Sequence, residues 1–162
     1  YGIRNPQGMA MNPWSDTLWL NEHGPRGGDE INIPEKGKNY GWPLATHGIN
    51  YSGLKIPEAK GEHVEGTEKP LFVWKVSPAV SGMAFYNSDV FPQWKNKLFI
   101  GALKEKDVIV LSVKGNTVTE DGRILGDKDQ RIRDVRVGPD GYLYVLTDET
   151  DGQLWKVSPS GS

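Results

Sequence analysis

The chain of 162 residues contains no cysteine. Thiolate zinc sites, iron–sulfur clusters, cysteine nucleophiles and any disulfide framework are therefore excluded. It also lacks an excess of either charge, with 19 Lys and Arg against 21 Asp and Glu and a formal net charge of -2. Phosphate binding needs a surplus of positive charge, so nucleic acid is not an expected partner, although a local basic cluster remains compatible. No apolar run approaches the roughly 20 residues of a membrane-spanning helix, and no charged-then-apolar leader opens the chain. Helical periodicity is nearly missing as well, because 20 Gly and 11 Pro interrupt almost every window long enough for three helical turns.

What remains is a strong strand signal. Residues 18–20, 71–74, 97–100, 108–113, 135–137, 142–146 and 154–157 are short runs rich in β-branched or aromatic side chains, each bounded by turn chemistry. Three stretches resemble one another when stacked: 8–20, 81–100 and 133–146. Each reads as a strand, a Pro or Asp-Gly turn, a second strand and a polar exit, and repeats of about 40–50 residues built this way predict propeller blades. Residues just after the second strand of each blade would converge on the axis. Three blades leave two open edges, so the count predicts either part of a larger propeller or assembly with a second copy. Tyr1 opens a segment that reads like mid-domain sequence, which predicts processing or a fragment, and the closing Ser160-Gly161-Ser162 has the composition of an added tail. The segment from Glu22 to about Lys69 shows no obvious strands and reads as an ordered insertion of the kind that carries function.

The densest chemistry lies at 22–32, followed by 36–43. Gly-Pro and Gly-Gly steps free carbonyl oxygens from strand ladders, and Asp29, Glu30 and Asn32 supply hard oxygen ligands that suit calcium. On residue types alone the same segment also reads as a turn with solvated acids. His23, beside that turn, reads as a packing or hydrogen-bonding residue, and His47 and His63 lack metal-ligand spacing. No Ser, His and Asp arrangement suggests a hydrolase. A second cluster is cationic: Arg4 with Asn5, Lys104, and Arg131-Ile132-Arg133. Arg4 and Arg131 precede the first strand of their repeats and Lys104 follows the second strand of the middle one. The i, i+2 spacing places the Arg131 and Arg133 guanidinia on one face of an extended strand. Converging guanidinium forks and an ammonium make a site for a polyanion.

Arg4-Asn5-Pro6-Gln7-Gly8, Glu22-His23-Gly24-Pro25, Gly28-Asp29-Glu30-Ile31-Asn32, Asn39-Tyr40-Gly41-Trp42-Pro43, Ser81-Gly82-Met83 and Arg131-Ile132-Arg133-Asp134-Val135 together resemble the soluble aldose sugar dehydrogenases that use pyrroloquinoline quinone (PQQ). The resemblance covers essentially the whole chain. It implies an all-β fold, a six-bladed propeller of four-stranded antiparallel blades, of which residues 1–162 are the C-terminal half, with a calcium-binding loop insertion around 22–69. It implies that Arg4, Asn5, Lys104, Arg131 and Arg133 hold PQQ, with Tyr51, Ala102, Leu103, Glu105 and Ile132 lining the cofactor pocket. Gly24 and Pro25 would give carbonyls to the calcium that sits against PQQ, and Glu30 and Tyr40 would belong to a second, structural calcium. The family's general base is a histidine of the N-terminal half, so no catalytic residue is expected in this chain.

The implied reaction is oxidation of an aldose to its lactone, with an electron acceptor that is not named, in the bacterial periplasm or cell envelope. The N-terminal half of the propeller, or a second copy of this chain, is the expected protein partner. Two other readings stay open at this level: a non-catalytic interaction propeller, and a self-assembling half-propeller that lacks the base.

Overall fold

The computed structural model describes residues 1–159; the Ser160-Gly161-Ser162 tail lies outside the described residues. Among these the chain builds three antiparallel sheets. Strands β1 (Pro6–Asn12), β2 (Thr17–Glu22), β3 (Asp29–Asn32) and β4 (Phe72–Trp74) form the first, in chain order. Strands β5 (Val80–Tyr86), β6 (Lys97–Ala102), β7 (Asp107–Lys114) and β8 (Thr117–Ile124) form the second. The third has three strands, β9 (Ile132–Val137), β10 (Leu143–Thr147) and β11 (Leu154–Val157).

The all-β expectation holds, with three corrections. The insertion expected to be free of strands contains β3, an Asp-Glu-Ile-Asn segment with one apolar residue that is held as a strand by pairing to both β2 and β4. Strand β8 was not expected from its polar sequence; it is an edge strand that pairs only with β7, so nothing requires an apolar face. The third sheet has three strands among the described residues where four were expected.

The middle sheet is covered on both faces, and strand alternation divides its side chains between two cores. Leu98, Ile100, Ile109, Leu111 and Val113 pack with Trp19, Ile31 and Trp74 of the first sheet. Phe99, Val108 and Val110 pack instead with Ile132, Val135, Leu143 and Val145 of the third. Neighbouring residues of one strand point to opposite faces, and here both faces are interior. That is why β7 reads as a continuous apolar run.

The first strands of the three sheets pack in sequence, β5 standing between β1 and β9. Their third positions are Gly8, Gly82 and Asp134. A Cβ on Gly8 would lie 2.5 Å from the Ser81 carbonyl oxygen, and one on Gly82 would overlap the Asp134 carboxylate and lie 2.7 Å from its Cα. The missing side chain is what lets adjacent sheets close. Gly82→Ala is therefore expected to lower stability by about 1–3 kcal/mol, the range for overpacking. Urea denaturation should show this as a fall in midpoint. Gly126→Ala, whose Cβ would meet only the Asp107 Cβ at 3.8 Å, should stay within about 0.5 kcal/mol.

Candidate functional site

One end of each sheet is closed by the same backbone hydrogen bond. The first residue after the second strand donates to the residue before the first strand: His23 to Asn5 at 3.0 Å, Leu103 to Ala79 at 2.8 Å and Asp148 to Arg131 at 2.7 Å. This fixes the true equivalences. Arg131 matches Asn5, one position away from Arg4, and Lys104 matches Gly24. Arg131 also precedes β9 rather than lying in it, so its pairing with Arg133 does not come from a shared strand face.

Around the first sheet the exits form an acidic pocket. Glu22 is 4 % exposed and accepts from the Arg4 N–H at 2.5 Å, the Asn5 N–H at 3.2 Å and the Asn32 amide at 3.2 Å. Asp29 is fully buried; its carboxylate accepts from the Gly24 N–H at 3.2 Å and from the Val80 N–H at 3.1 Å, so it ties the 24–28 turn to the second sheet. Burial pushes the Glu30 carboxyl up to about 7, reinforced by the charge of Glu22, opposed by the Asn32 amide and raised again by Asp29. Glu22 is also pushed up by burial, against the backbone N–H groups of Arg4 and Asn5. The Asn32 side-chain oxygen is buried and has no hydrogen-bond partner. Glu22, Glu30 and Tyr40 line a cavity of ≈ 20 Å³, about the room of one water-sized species. Among the described residues no three His, Cys, Asp or Glu side chains are grouped to hold a metal ion. A cation here would have to draw on amide and main-chain oxygens as well. The Tyr40 hydroxyl is already committed, donating to the Ile33 carbonyl at 2.6 Å and accepting from the Glu35 N–H at 2.8 Å.

Beyond the His23-Gly24-Pro25 segment the charge reverses. A cavity of ≈ 650 Å³ is lined by that segment together with Arg26, Tyr51, Lys75 and Lys104. The Arg4 guanidinium lies between the two cavities, donating to the Gly24 carbonyl at 3.2 Å and resting over the rings of Trp42 and Tyr51 at 5.1 and 5.9 Å. The first of these carbonyls, assigned by resemblance to calcium, thus already faces a cation. The His23 ring nitrogen sits 2.5 Å from the Val80 carbonyl, a hydrogen bond that agrees with its reading as a structural residue.

At the third sheet, Arg131 and Arg133 share one carboxylate, at 3.1 and 3.0 Å from Asp148. Hydrogen bonds from Arg133 and then Arg131 hold the Asp148 carboxyl below the usual range. The two guanidinia meet on Asp148 rather than on one strand face, and no contact joins them to Arg4 or Lys104 among the described residues. Ala102, Leu103 and Ile132 are buried, at 0, 5 and 0 % exposure, so they can present only main-chain groups to a ligand. Asn5, Tyr51 and Glu105 are exposed. Sequence reasoning missed Glu22 as the anchor for Arg4 and Asn5. It also missed Asp148 as the carboxylate that gathers the two arginines, though both stand at second-strand exits where the repeats could have shown them.

Antiparallel sheets set side by side, with charged groups gathered at the exits of their second strands, define the propeller-type class of all-β proteins. Within that class the chain belongs to the glucose/sorbosone dehydrogenase family, whose pattern matches residues 1–156. It is 83% identical over 159 residues to the aldose sugar dehydrogenase YliI of Escherichia coli, which covers 98% of this chain and 43% of that protein. The apo-form crystal structure of soluble aldose sugar dehydrogenase from Escherichia coli superposes with a TM-score of 0.97 at 82% identity, over 99% of this chain and 46% of that one. The PQQ-bound aldose sugar dehydrogenase of Streptomyces coelicolor superposes with a TM-score of 0.71 at 25% identity, over 96% of this chain and 43% of that one. The chain therefore spans less than half the length of these relatives. No helix among the described residues is long and apolar enough to cross a membrane.

Proposed function

We propose that this chain carries most of the cofactor- and calcium-binding groups of a PQQ-dependent aldose dehydrogenase that oxidises a sugar to its lactone. The observation that carries the reading is the ≈ 650 Å³ cavity in which Lys104 meets the His23-Gly24-Pro25 turn and Tyr51. Its size is that of a small-molecule site, and Lys104 on its wall suits a ligand that bears carboxylates. The neighbouring acidic pocket offers the Glu22 and Glu30 carboxylates to a hard cation, and carboxylate oxygens are the ligands calcium takes.

When bound, PQQ supplies the two-electron acceptor for the sugar, and calcium polarises it. The residues of this chain position and neutralise. Lys104, Arg4, Arg131 and Arg133 hold the carboxylates, with Asn5, Tyr51, Glu105 and the main chain of Ala102, Leu103 and Ile132 bordering them. Gly24 and Pro25 would offer carbonyls to one calcium, the Gly24 oxygen sharing itself with the Arg4 guanidinium, and Glu30 with the main-chain carbonyl of Tyr40 would hold a second. His23 is engaged with Val80, which suits a structural role; the resemblance assigns the base that takes the sugar's proton to a histidine of the N-terminal half.

Met9 and Met11 on the first sheet are 57 and 52 % exposed, and Leu146 and Leu154 on the third are 43 and 68 % exposed. These apolar side chains support further blades at both open faces, and the chain's coverage of less than half of its relatives supports the N-terminal half as their source. The reading extends to a periplasmic or cell-envelope location. Combined with that half, PQQ and calcium, the chain is expected to give dye-linked oxidation of glucose. Absence of PQQ binding by the completed protein would refute the reading.

Calcium is tested separately. At about 100 times its Kd, a ligand of the native state adds about 2.7 kcal/mol, roughly 5–10 °C in Tm for a chain of this size. Calcium added to chelator-treated protein should raise Tm by that amount, and Glu30→Gln should remove much of the shift. An unchanged Tm would count against a structural calcium.

A further inference from the structure

We infer that Arg26 and Lys75 form an anion-recognition edge of the ≈ 650 Å³ cavity, and that the sugars it selects carry a carboxylate or phosphate remote from the carbon being oxidised. The inference rests on the function proposed above. That function accounts for Lys104, Tyr51 and the Gly24-Pro25 turn, but it gives no task to Arg26 or Lys75.

Both residues line the cavity, both are exposed, and neither forms an ion pair among the described residues. Their backbones are fixed. Arg26 exchanges two backbone hydrogen bonds with Ile49, at 2.9 and 3.1 Å, and the Gly28 N–H donates to the Trp74 carbonyl at 2.9 Å, which brings the exit of β4 and Lys75 beside the turn that carries Arg26. The cations are thus mounted on two pinned segments.

The rest of the lining strengthens the point. It contains no Asp, Glu, Asn or Gln side chain. A neutral sugar presents hydroxyls that both donate and accept; ionised carboxylates accept from them and side-chain amides do both, but here the neutral polar side chains are those of Tyr51, Ser77 and His23. This wall carries three cations and no anionic side chain to balance them, a composition matched to an anion. Guanidinium and ammonium together suit either a carboxylate or a phosphate, the first by its fork and the second as a point charge.

The test uses the complete PQQ- and calcium-loaded protein that contains this chain, assayed with glucose, glucuronate and glucose 6-phosphate. Both anionic sugars are expected to show a KM about tenfold or more below that of glucose, and raising the salt concentration should erode this advantage. In the Arg26→Gln, Lys75→Gln double variant the ratio of kcat/KM for glucuronate to that for glucose should fall about tenfold or more, and Arg26→Lys should retain part of it. If only one of the two anions is favoured, the inference stands and the anion's source is identified.

A second readout does not depend on turnover. Calorimetric titration with glucuronate should give measurable binding to the parent protein that the double variant loses. Equal KM values for all three sugars while glucose is oxidised would overturn this inference and leave the proposed function intact. Loss of PQQ affinity in the double variant, with discrimination unchanged, would also overturn it by assigning the two cations to the cofactor. Failure to oxidise any sugar with PQQ bound would remove both.

Discussion

Replacing Arg131 and Arg133 together with alanine is expected to weaken PQQ binding by roughly 10²- to 10⁴-fold, since hydrogen bonds to charged groups each contribute about 1.5–3 kcal/mol. The size follows from the arrangement. Two guanidinia converge on the single carboxylate of Asp148, so one positive charge is left over and both forks are already oriented before any ligand arrives. The fold should not suffer, because Asp148 and both arginines keep about a third or more of their side-chain surface in solvent and such ion pairs contribute little. Arg136→Ala is the control: its guanidinium pairs with Asp134 at 3.0 Å, and its loss should change affinity less than about twofold if general charge is not the cause. Fluorescence titration of PQQ into a full-length protein carrying this chain would measure all three. Equal affinity for the double variant and the parent would exclude these arginines from the cofactor site.

The second large effect is on stability. Asp29→Ala removes the acceptor for two buried N–H groups, those of Gly24 and Val80, at about 1–3 kcal/mol each. Removing the charge also relieves repulsion on Glu22 and Glu30, which offsets part of this. Two unpaired buried donors outweigh that relief, and a net loss of about 2–4 kcal/mol in denaturant unfolding is expected. Asp29→Asn, which keeps one acceptor oxygen, should lose less. If both variants unfold with the parent, the carboxylate does not join the first two sheets.

Much of this was legible in the sequence because repeats expose what single windows hide. Gly8-Met9-Ala10 and Gly82-Met83-Ala84 announced equivalent strands, and the polar exits behind them marked where charged groups gather. Strands β3 and β8 were not legible, because a segment such as Asp29–Asn32 has no strand pattern of its own and is held by its two neighbours in the sheet. The cations were found by residue type, but their partners were not. Asp148, Glu22 and Trp42 act through distances across the chain that no spacing rule encodes. The offset between Arg4 and Arg131 was hidden for the same reason: only the backbone bonds at the sheet ends reveal which residues correspond.

The seams between sheets have a further consequence. Ser81 fits the hollow left by Gly8, while Asp134 fits the one left by Gly82, so the three sheets share a plan without sharing an edge. A copy of the middle sheet set in place of the third would bring glycine, not the Asp134 carboxylate, to the hollow at Gly82. Sheet order is thus written into the seams like an address, and the repeats, though alike enough to align, are not interchangeable parts.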